Sequence, residues 1–262
     1  MDPSGVVGIL LALAAIFGAQ ALEGGNPASL IMPGPLVLVW LGTIGAGMAG
    51  HTLADTKGAF AMLPKVMRAK APDAGRTIDT VISLADRARR EGLLALEDAA
   101  RDIDDEFLKS GLQAAIDGTD PEDLRTILED RIATKRVTDR VYSKYFADLG
   151  GYAPTLGIIG TVIALVHVLG NLANPSELGT QIAVAFLATL WGLLSANVLW
   201  LPLAARIKRM SDQECAQMEV TLEGLLALQA GANPRLVGER LRSMLPPSAS
   251  KKKPDDKQEK AA

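Results

Sequence analysis

The side chains best suited to chemistry are scarce here, and their scarcity sets the first limits. Only two histidines, His51 and His167, and one cysteine, Cys215, occur in 262 residues. A lone thiol in a charged stretch forms no internal disulfide, and Cys215 reads as structurally incidental. There is no phosphate-cradling Gly loop, no metal-spaced set of His and Cys, and no nucleophile with base and orienting acid. The expectation is therefore no enzyme, no bound metal and no cofactor. The informative polar residues lie inside long apolar runs. Thr161 and Thr189 sit in the middle of two such runs, Ser195 and Asn197 lie deeper in the second, and His167 lies near the end of the first. At membrane depth a hydroxyl can bond back to its own helix, face a neighbouring helix or face an ion path. The spacing leaves those readings open. No Asp, Glu, Lys or Arg accompanies these groups. Ion routes through membranes usually rest on an ionisable group, so an ion-conducting role would require the acid to come from a second chain.

The elements that must position these groups are marked by charge. The chain carries 27 Lys and Arg against 30 Asp and Glu, a net charge of -3, with both signs interleaved and no nucleic-acid footprint. No Lys or Arg precedes Lys57, and none occurs between Lys144 and Arg206. Such blocks read as bilayer alternating with water. Apolar runs at 5–22, 35–50, 150–169 and 179–205 each approach the roughly 20 residues needed to cross hydrocarbon. The second is the shortest, and reaches length only if residues 51–54 complete its basic end. The loops 23–34 and 170–178 hold one acid each, Glu23 and Glu177, and no base. The positive-inside rule then places both termini in the cytoplasm and the two short loops outside. A rival reading takes Ala19-Gln20-Ala21 as a signal-peptidase site, but the basic n-region such a signal needs is missing.

The predicted fold is an all-α membrane protein of four transmembrane helices, with a cytoplasmic helical domain between spans two and three and a cytoplasmic C-terminal tail. Its expected divisions are 1–52 (spans one and two), 53–148 (helical domain), 149–206 (spans three and four), 207–245 (a helical segment) and 246–262 (a disordered tail rich in Pro, Ser and Lys). The segment 54–70 mixes Phe60, Leu63, Val66 and Met67 with Lys57, Lys65, Arg68 and Lys70. It reads either as a helix lying along the membrane face, its cations near lipid phosphates, or as an ordinary packing helix. Ile78, Val81, Ile82, Ala85 and Ala88, then Leu93, Leu94 and Leu96, recur at helical spacing. Asp120 can cap a helix started by Pro121, with Leu124, Ile127, Leu128 and Ile132 as its buried stripe, and this helix runs on toward the third span. Small residues recur every four positions at Gly157 and Thr161, at Gly160 and Ala164, and at Ala188, Gly192 and Ala196, the pattern of closely packed membrane helices. Pro154 and Pro202 each remove a backbone donor, which bends or ends a span.

Together these residues resemble the MotA family, the pore-ring subunit of the bacterial flagellar stator, with TolQ and ExbB as more distant relatives. The resemblance covers nearly the whole chain. It is carried by the turn Leu22-Glu23-Gly24-Gly25-Asn26-Pro27 and most specifically by Leu84-Ala85-Asp86-Arg87-Ala88-Arg89-Arg90-Glu91-Gly92-Leu93-Leu94-Ala95-Leu96-Glu97. Phe107 to Leu112 and Asp117-Gly118-Thr119-Asp120 follow in family order. In the spans it is carried by Ala153 to Val162, Leu187 to Gly192, Ala196-Asn197 and Leu201 to Ala204. Four spans, rather than the three of TolQ and ExbB, favour MotA. The resemblance implies five copies around two MotB helices whose aspartate accepts the ion. It implies an ion path past Thr161 and Thr189, and ion-coupled movement at Pro154 and Pro202. It also implies contact of Arg89, Arg90 and Glu97 with the rotor protein FliG. Ala188 stands where sodium-driven relatives often have a second Thr, which leans toward protons while leaving sodium open. Asp86–Arg90, Arg87–Glu91 and Glu97–Arg101 also have i,i+4 spacing, so a solvated helix surface accounts for these charges locally. The alternative function is a TolQ/ExbB-like energiser of envelope transport with a TolR/ExbD-like partner. A non-motor membrane oligomer is the third reading.

Overall fold

The computed structural model describes residues 4–68 and 73–245. Lys70 and the tail 246–262, expected to be disordered, lie outside the described residues. Ten α-helices are present among the described residues and no strand: α1 Ser4–Leu22, α2 Pro33–Gly50, α3 Leu53–Arg68, α4 Ala74–Glu91, α5 Glu97–Arg101, α6 Glu106–Ile116, α7 Pro121–Gly170, α8 Pro175–Leu194, α9 Leu201–Gln229 and α10 Pro234–Ser243. A π-turn, Ser195–Trp200, joins α8 to α9 without a break. Four helical stretches are long and apolar enough to cross a membrane: α1, α2, part of α7, and part of the run from α8 through α9. The chain packs as two units, 1–70 with 138–210, and 71–137 with 211–262.

This division differs from the one expected from the charge blocks. Residues 53–68 and 138–148 pack with the apolar spans, and 211–245 is no separate segment but completes the core of the second unit. Hydropathy marks where a chain leaves lipid, whereas packing follows apolar faces that continue beyond that border.

In the first unit, α2 is 18 residues long, about 27 Å at 1.5 Å per residue. Its length comes from Pro33 and Gly34 rather than from residues 51–54. His51 is extended (φ -136°) and ends the helix. Thr52 Oγ1 then accepts the Asp55 N–H (3.1 Å) while Asp55 Oδ2 accepts the Thr52 N–H (3.3 Å), a capping box that starts a new helix. The buried face of α3 (Ala59, Met62, Val66) joins Tyr145, Phe146 and Leu149 of α7 and Leu203, Ala204 and Ile207 of α9. His51 Nε2 also meets Asp148 Oδ2 at 2.9 Å, and Lys144 Nζ donates to the same oxygen at 2.7 Å. Burial pushes the Asp148 carboxyl up. The hydrogen bonds from Lys144 and His51 outweigh that and hold it below the usual carboxylate range.

In the second unit, the starts of α4, α6 and α10 carry side-chain caps. Asp73 accepts from Arg76 N, Asp105 from Phe107 N and Leu108 N, and Asn233 from Arg235 N. Asp120 Oδ1 accepts the Glu122 N–H at 2.9 Å ahead of Pro121, as its sequence indicated. Ile78, Val81, Leu112, Leu124, Leu128, Leu225 and Leu241 are fully buried in one core. Two residues of the expected stripes turn outward instead: Ile127 is 45% exposed and Leu94 76%. Leu94 turns out because Gly92 (φ 87°) ends α4 and the chain re-enters as a short 3-10 turn, Leu93–Leu96, on a different phase.

α7 and α8 approach so closely that side chains are excluded. A Cβ on Gly192 would lie 2.7 Å from the Ala153 carbonyl oxygen and 3.1 Å from Gly157 Cα. Both obstacles are backbone, which cannot move aside locally. Gly192→Ala is therefore expected to cost about 1–3 kcal/mol, the range for overpacking a tight contact, read as a lower Tm of the detergent-purified protein. Gly8→Ala in α1, with open space around it, should hold Tm or raise it slightly, since Ala is the better helix former. Equal Tm values for the two variants would contradict the packing described.

Candidate functional site

The closest α7–α8 contact fixes the two mid-span threonines. Gly157 and Gly192 lie face to face, and one turn further along α7 Thr161 Oγ1 is 2.5 Å from Thr189 Oγ1. Thr161 Oγ1 also lies 3.1 Å from the Gly157 carbonyl of its own helix and 2.9 Å from the Ala185 carbonyl of α8. Carbonyls only accept, so the single Thr161 proton serves them, and the short contact is made by Thr189 donating to Thr161. This leaves Thr189 Oγ1 with acceptor capacity, on a half-buried side chain. The pair is thus a hydroxyl-to-hydroxyl hydrogen bond across two helices. Back-bonding to its own helix accounts for one of Thr161's three contacts. It suffices for Ser195 and Asn197, which donate to the Gly192 and Leu193 carbonyls.

No ionisable residue joins this pair: the apolar runs of α1, α2, α7 and α8 hold no Asp, Glu, Lys or Arg in their interiors. His167 is exposed near the C-terminal end of α7. A cavity of about 410 Å³ opens between α2, α7 and α8, walled by Leu38, Gly160, Ala164 and Ala188, with His167 and Gln181 as its polar groups. Gln181 Oε1 and Thr43 Oγ1 are buried and have no hydrogen-bond partner among the described residues. Neither was singled out from sequence. A polar residue inside an apolar run was the available signal for both, but the chain alone does not show which of them end up unpaired. Among the described residues no group of His, Cys, Asp and Glu is spaced to hold a metal ion.

Neither proline ends a span. α7 continues through Pro154, and Pro202 sits in the second position of α9, directly after the π-turn. Pro202 has no N–H, so a regular i→i−4 ladder is broken there; the turn before it is widened, with Leu201 N–H donating to Ala196 O. Trp200, within that turn, stacks on Phe146 and meets Trp40 edge-on at 5.3 Å.

The charged set is brought only partly together. The three local ion pairs form: Arg90–Asp86 at 2.8 Å, Arg87–Glu91 at 3.2 Å and Arg101–Glu97 at 3.5 Å, all exposed and each contributing little. Arg89 is exposed and has no ion-pair partner among the described residues. Because α4 ends at Glu91, Arg89 and Arg90 share no helix with Glu97, and helical phase relates neither arginine to it.

Two family descriptions match the chain: Motility protein A N-terminal over residues 6–92, and MotA/TolQ/ExbB proton channel family over residues 99–220. Motility protein A of Bacillus subtilis (strain 168) is 36% identical, covering 94% of this chain and 92% of its own. Among solved structures, that of C. jejuni MotAB is similar with a TM-score of 0.89 at 29% identity, covering 94% of this chain and 96% of that one. The flagellar MotAB stator complex from Bacillus subtilis is similar with a TM-score of 0.85 at 34% identity, covering 92% and 95%. These similarities cover nearly the whole chain. The chain belongs to the motility protein A branch of the MotA/TolQ/ExbB proton channel family.

Proposed function

We propose that this chain is the channel-forming subunit of a flagellar stator. With a MotB-type partner it forms a path that converts proton or sodium motive force into torque on the rotor. The observation that carries the reading is the match along nearly the full chain to stator subunits, together with a cross-helix hydroxyl pair that has no acid of its own. A route lined in this way needs a titrating group from a second chain. The stator complexes it resembles are MotAB assemblies, in which a second kind of subunit accompanies MotA. Moving one charge down 100 mV releases about 2.3 kcal/mol, enough to shift a packed interface between two arrangements. Thr161 and Thr189 present the hydroxyls along the path. Pro154 and the widened turn before Pro202 are the points where α7 and the α8–α9 run can bend.

The outer faces of α7 and α8 favour assembly in lipid. Val162, Ile163, Val166 and Phe186 are 56%, 57%, 64% and 70% exposed. Such faces suit neighbouring subunits, five in the ring inferred from the family, and bilayer. The basic segments belong on the cytoplasmic side of the inner membrane, with both termini there. On that side Arg89, exposed and without an ion-pair partner among the described residues, supplies with Arg90 and Glu97 the charges offered to FliG. The four spans and the N-terminal match favour this reading over a TolQ/ExbB-like energiser of envelope transport.

Two experiments test the proposal. Thr161→Val removes the donor to Ala185 O and the acceptor for Thr189, with little change in shape. It is expected to cut partner-dependent ion flux in liposomes by roughly five- to ten-fold, the worth of about one buried hydrogen bond. Thr161→Ser should retain most of the flux. Full flux in the valine variant would remove the pair from the path. For the rotor contact, Glu97→Lys is expected to reduce swimming and a charge-reversed rotor partner to restore it. Normal motility after replacing both Arg89 and Glu97 would exclude that contact.

A further inference from the structure

The first unit is electrically polarised along the bundle. Between 51 and 68, 138 and 148, and 206 and 210, it holds eight Lys or Arg and three Asp. At the opposite end the loops hold only Glu23 and Glu177. The three aspartates offset only part of this charge. Asp55 bonds Thr52, Asp148 bonds Lys144 and His51, and Asp139 is buried.

The position of α3 brings the cations to one level. Ser143 Oγ donates to the Ala204 carbonyl at 2.9 Å, which ties α7 and α9 at the same height. Gly58 lies against the Tyr142 ring, and Arg206 Nε donates to the Val66 carbonyl at 3.2 Å. Gly58 and Val66 are thus about 12 Å apart along α3, yet their neighbours stand within about a turn of one another along the bundle. α3 therefore lies across the basic end of the spans instead of extending α2. Its apolar face is buried, while Lys57, Lys65 and Arg68 are exposed on the other, and Lys208 and Arg209 are exposed on α9 beside it. Lys57, Arg68, Lys208 and Arg209 have no ion-pair partner among the described residues.

We propose that this rim, built by α3 and the start of α9, is a docking surface for the headgroups of anionic phospholipids, which hold α3 in place. The argument is charge complementarity: exposed cations that form no ion pair among the described residues lie at the level where the apolar spans end, which is where lipid phosphates lie. Both alternatives left open by the sequence of 54–70 are met at once, because α3 packs on one face and offers its cations on the other. The proposal goes beyond the stator reading and stands or falls separately from it, since its test involves no ion flux or motility.

The full chain is placed in nanodiscs of pure phosphatidylcholine or of phosphatidylcholine mixed with phosphatidylglycerol, and Tm is measured. Phosphatidylglycerol should raise the wild-type Tm by several degrees, and salt should shrink the gain by screening. The combined variant Lys57→Gln, Arg68→Gln, Lys208→Gln and Arg209→Gln should lose the gain while matching wild type in phosphatidylcholine. A second variant with the same change of charge, Lys109→Gln, Arg131→Gln, Arg235→Gln and Arg242→Gln, should keep it. Inorganic phosphate added to the phosphatidylcholine discs should give no gain. Four results would each overturn the proposal: no gain in wild type, a gain retained in the rim variant, a gain lost in both variants, or an equal gain from free phosphate. The second and third would point to bulk charge, and the first would leave the rim to a protein partner. Should the rim variant prove unstable in phosphatidylcholine, phosphatidylglycerol retained by the detergent-purified wild type decides instead. Mass spectrometry should find it enriched over phosphatidylethanolamine, and equal retention would overturn the proposal.

Discussion

The contact on which the candidate channel depends is the backbone-to-backbone approach of α7 and α8 at Gly157 and Gly192. With no Cβ on either residue, the Ala153 and Ala188 carbonyls come within van der Waals reach of the opposing helix. In lipid there is no hydrophobic drive to bring two helices together, so close packing and cross-helix hydrogen bonds must do so. Both are present here. The glycines set the separation, and the separation lets the Thr161 hydroxyl reach the Ala185 carbonyl and Thr189. A larger residue at either glycine would part the helices and leave two hydroxyls to satisfy themselves within their own turns.

The same low-dielectric setting explains how the irregularities of the spans are tolerated. A proline inside a helix leaves a carbonyl without its donor, which is costly where water is absent. At Pro202 the backbone adapts through a widened turn, and the aromatic group of Trp200, Trp40 and Phe146 packs around that turn. The indole of Trp191 adds another restraint by donating to the Leu30 carbonyl at 2.7 Å, which satisfies a loop acceptor. Among the buried side-chain atoms without a hydrogen-bond partner, Thr43 Oγ1 and Gln181 Oε1 lie in the span helices, whereas Gln229 Oε1 lies in the second unit.

The second unit is held by different forces. Its core is apolar, and its polar contacts join segments far apart in sequence. Glu223 on α9, 17% exposed, accepts from Arg125 of α7 at 3.0 Å and from Arg240 of α10 at 2.6 Å. Gln217 donates to Thr77 of α4 at 2.7 Å. These bonds show why 211–245 cannot be treated as an appendage: α9 supplies Val220, Leu222, Leu225 and Leu228 to the core that α4 and α6 line.

Much of this was legible without coordinates, because it follows from local chemistry. The four spans, the Asp120–Pro121 helix start, the three i,i+4 ion pairs and the absence of an acid at membrane depth depend only on residue type and near spacing. The MotA resemblance was carried by contiguous motifs. What depends on distant segments was not legible. The second apolar run ends at Gly50 as α2 does, but the extension expected through 51–54 fails because a capping box at Thr52 and Asp55 starts a new helix, and α2 gains its length at Pro33 and Gly34 instead. Leu94 turns outward because Gly92 resets the helical phase, and the same break separates Arg89 and Arg90 from Glu97. By itself the sequence determined which stretches leave water, through their composition, and which turns start or stop a helix, through their caps. Only the tertiary structure decided that Thr161 and Thr189 share a proton contact, that α3 lies across the bundle end and that α9 completes the second core. Those outcomes depend on which faces of helices remote in sequence pack together, and hydrophobic periodicity records only that a face is buried, not what it meets.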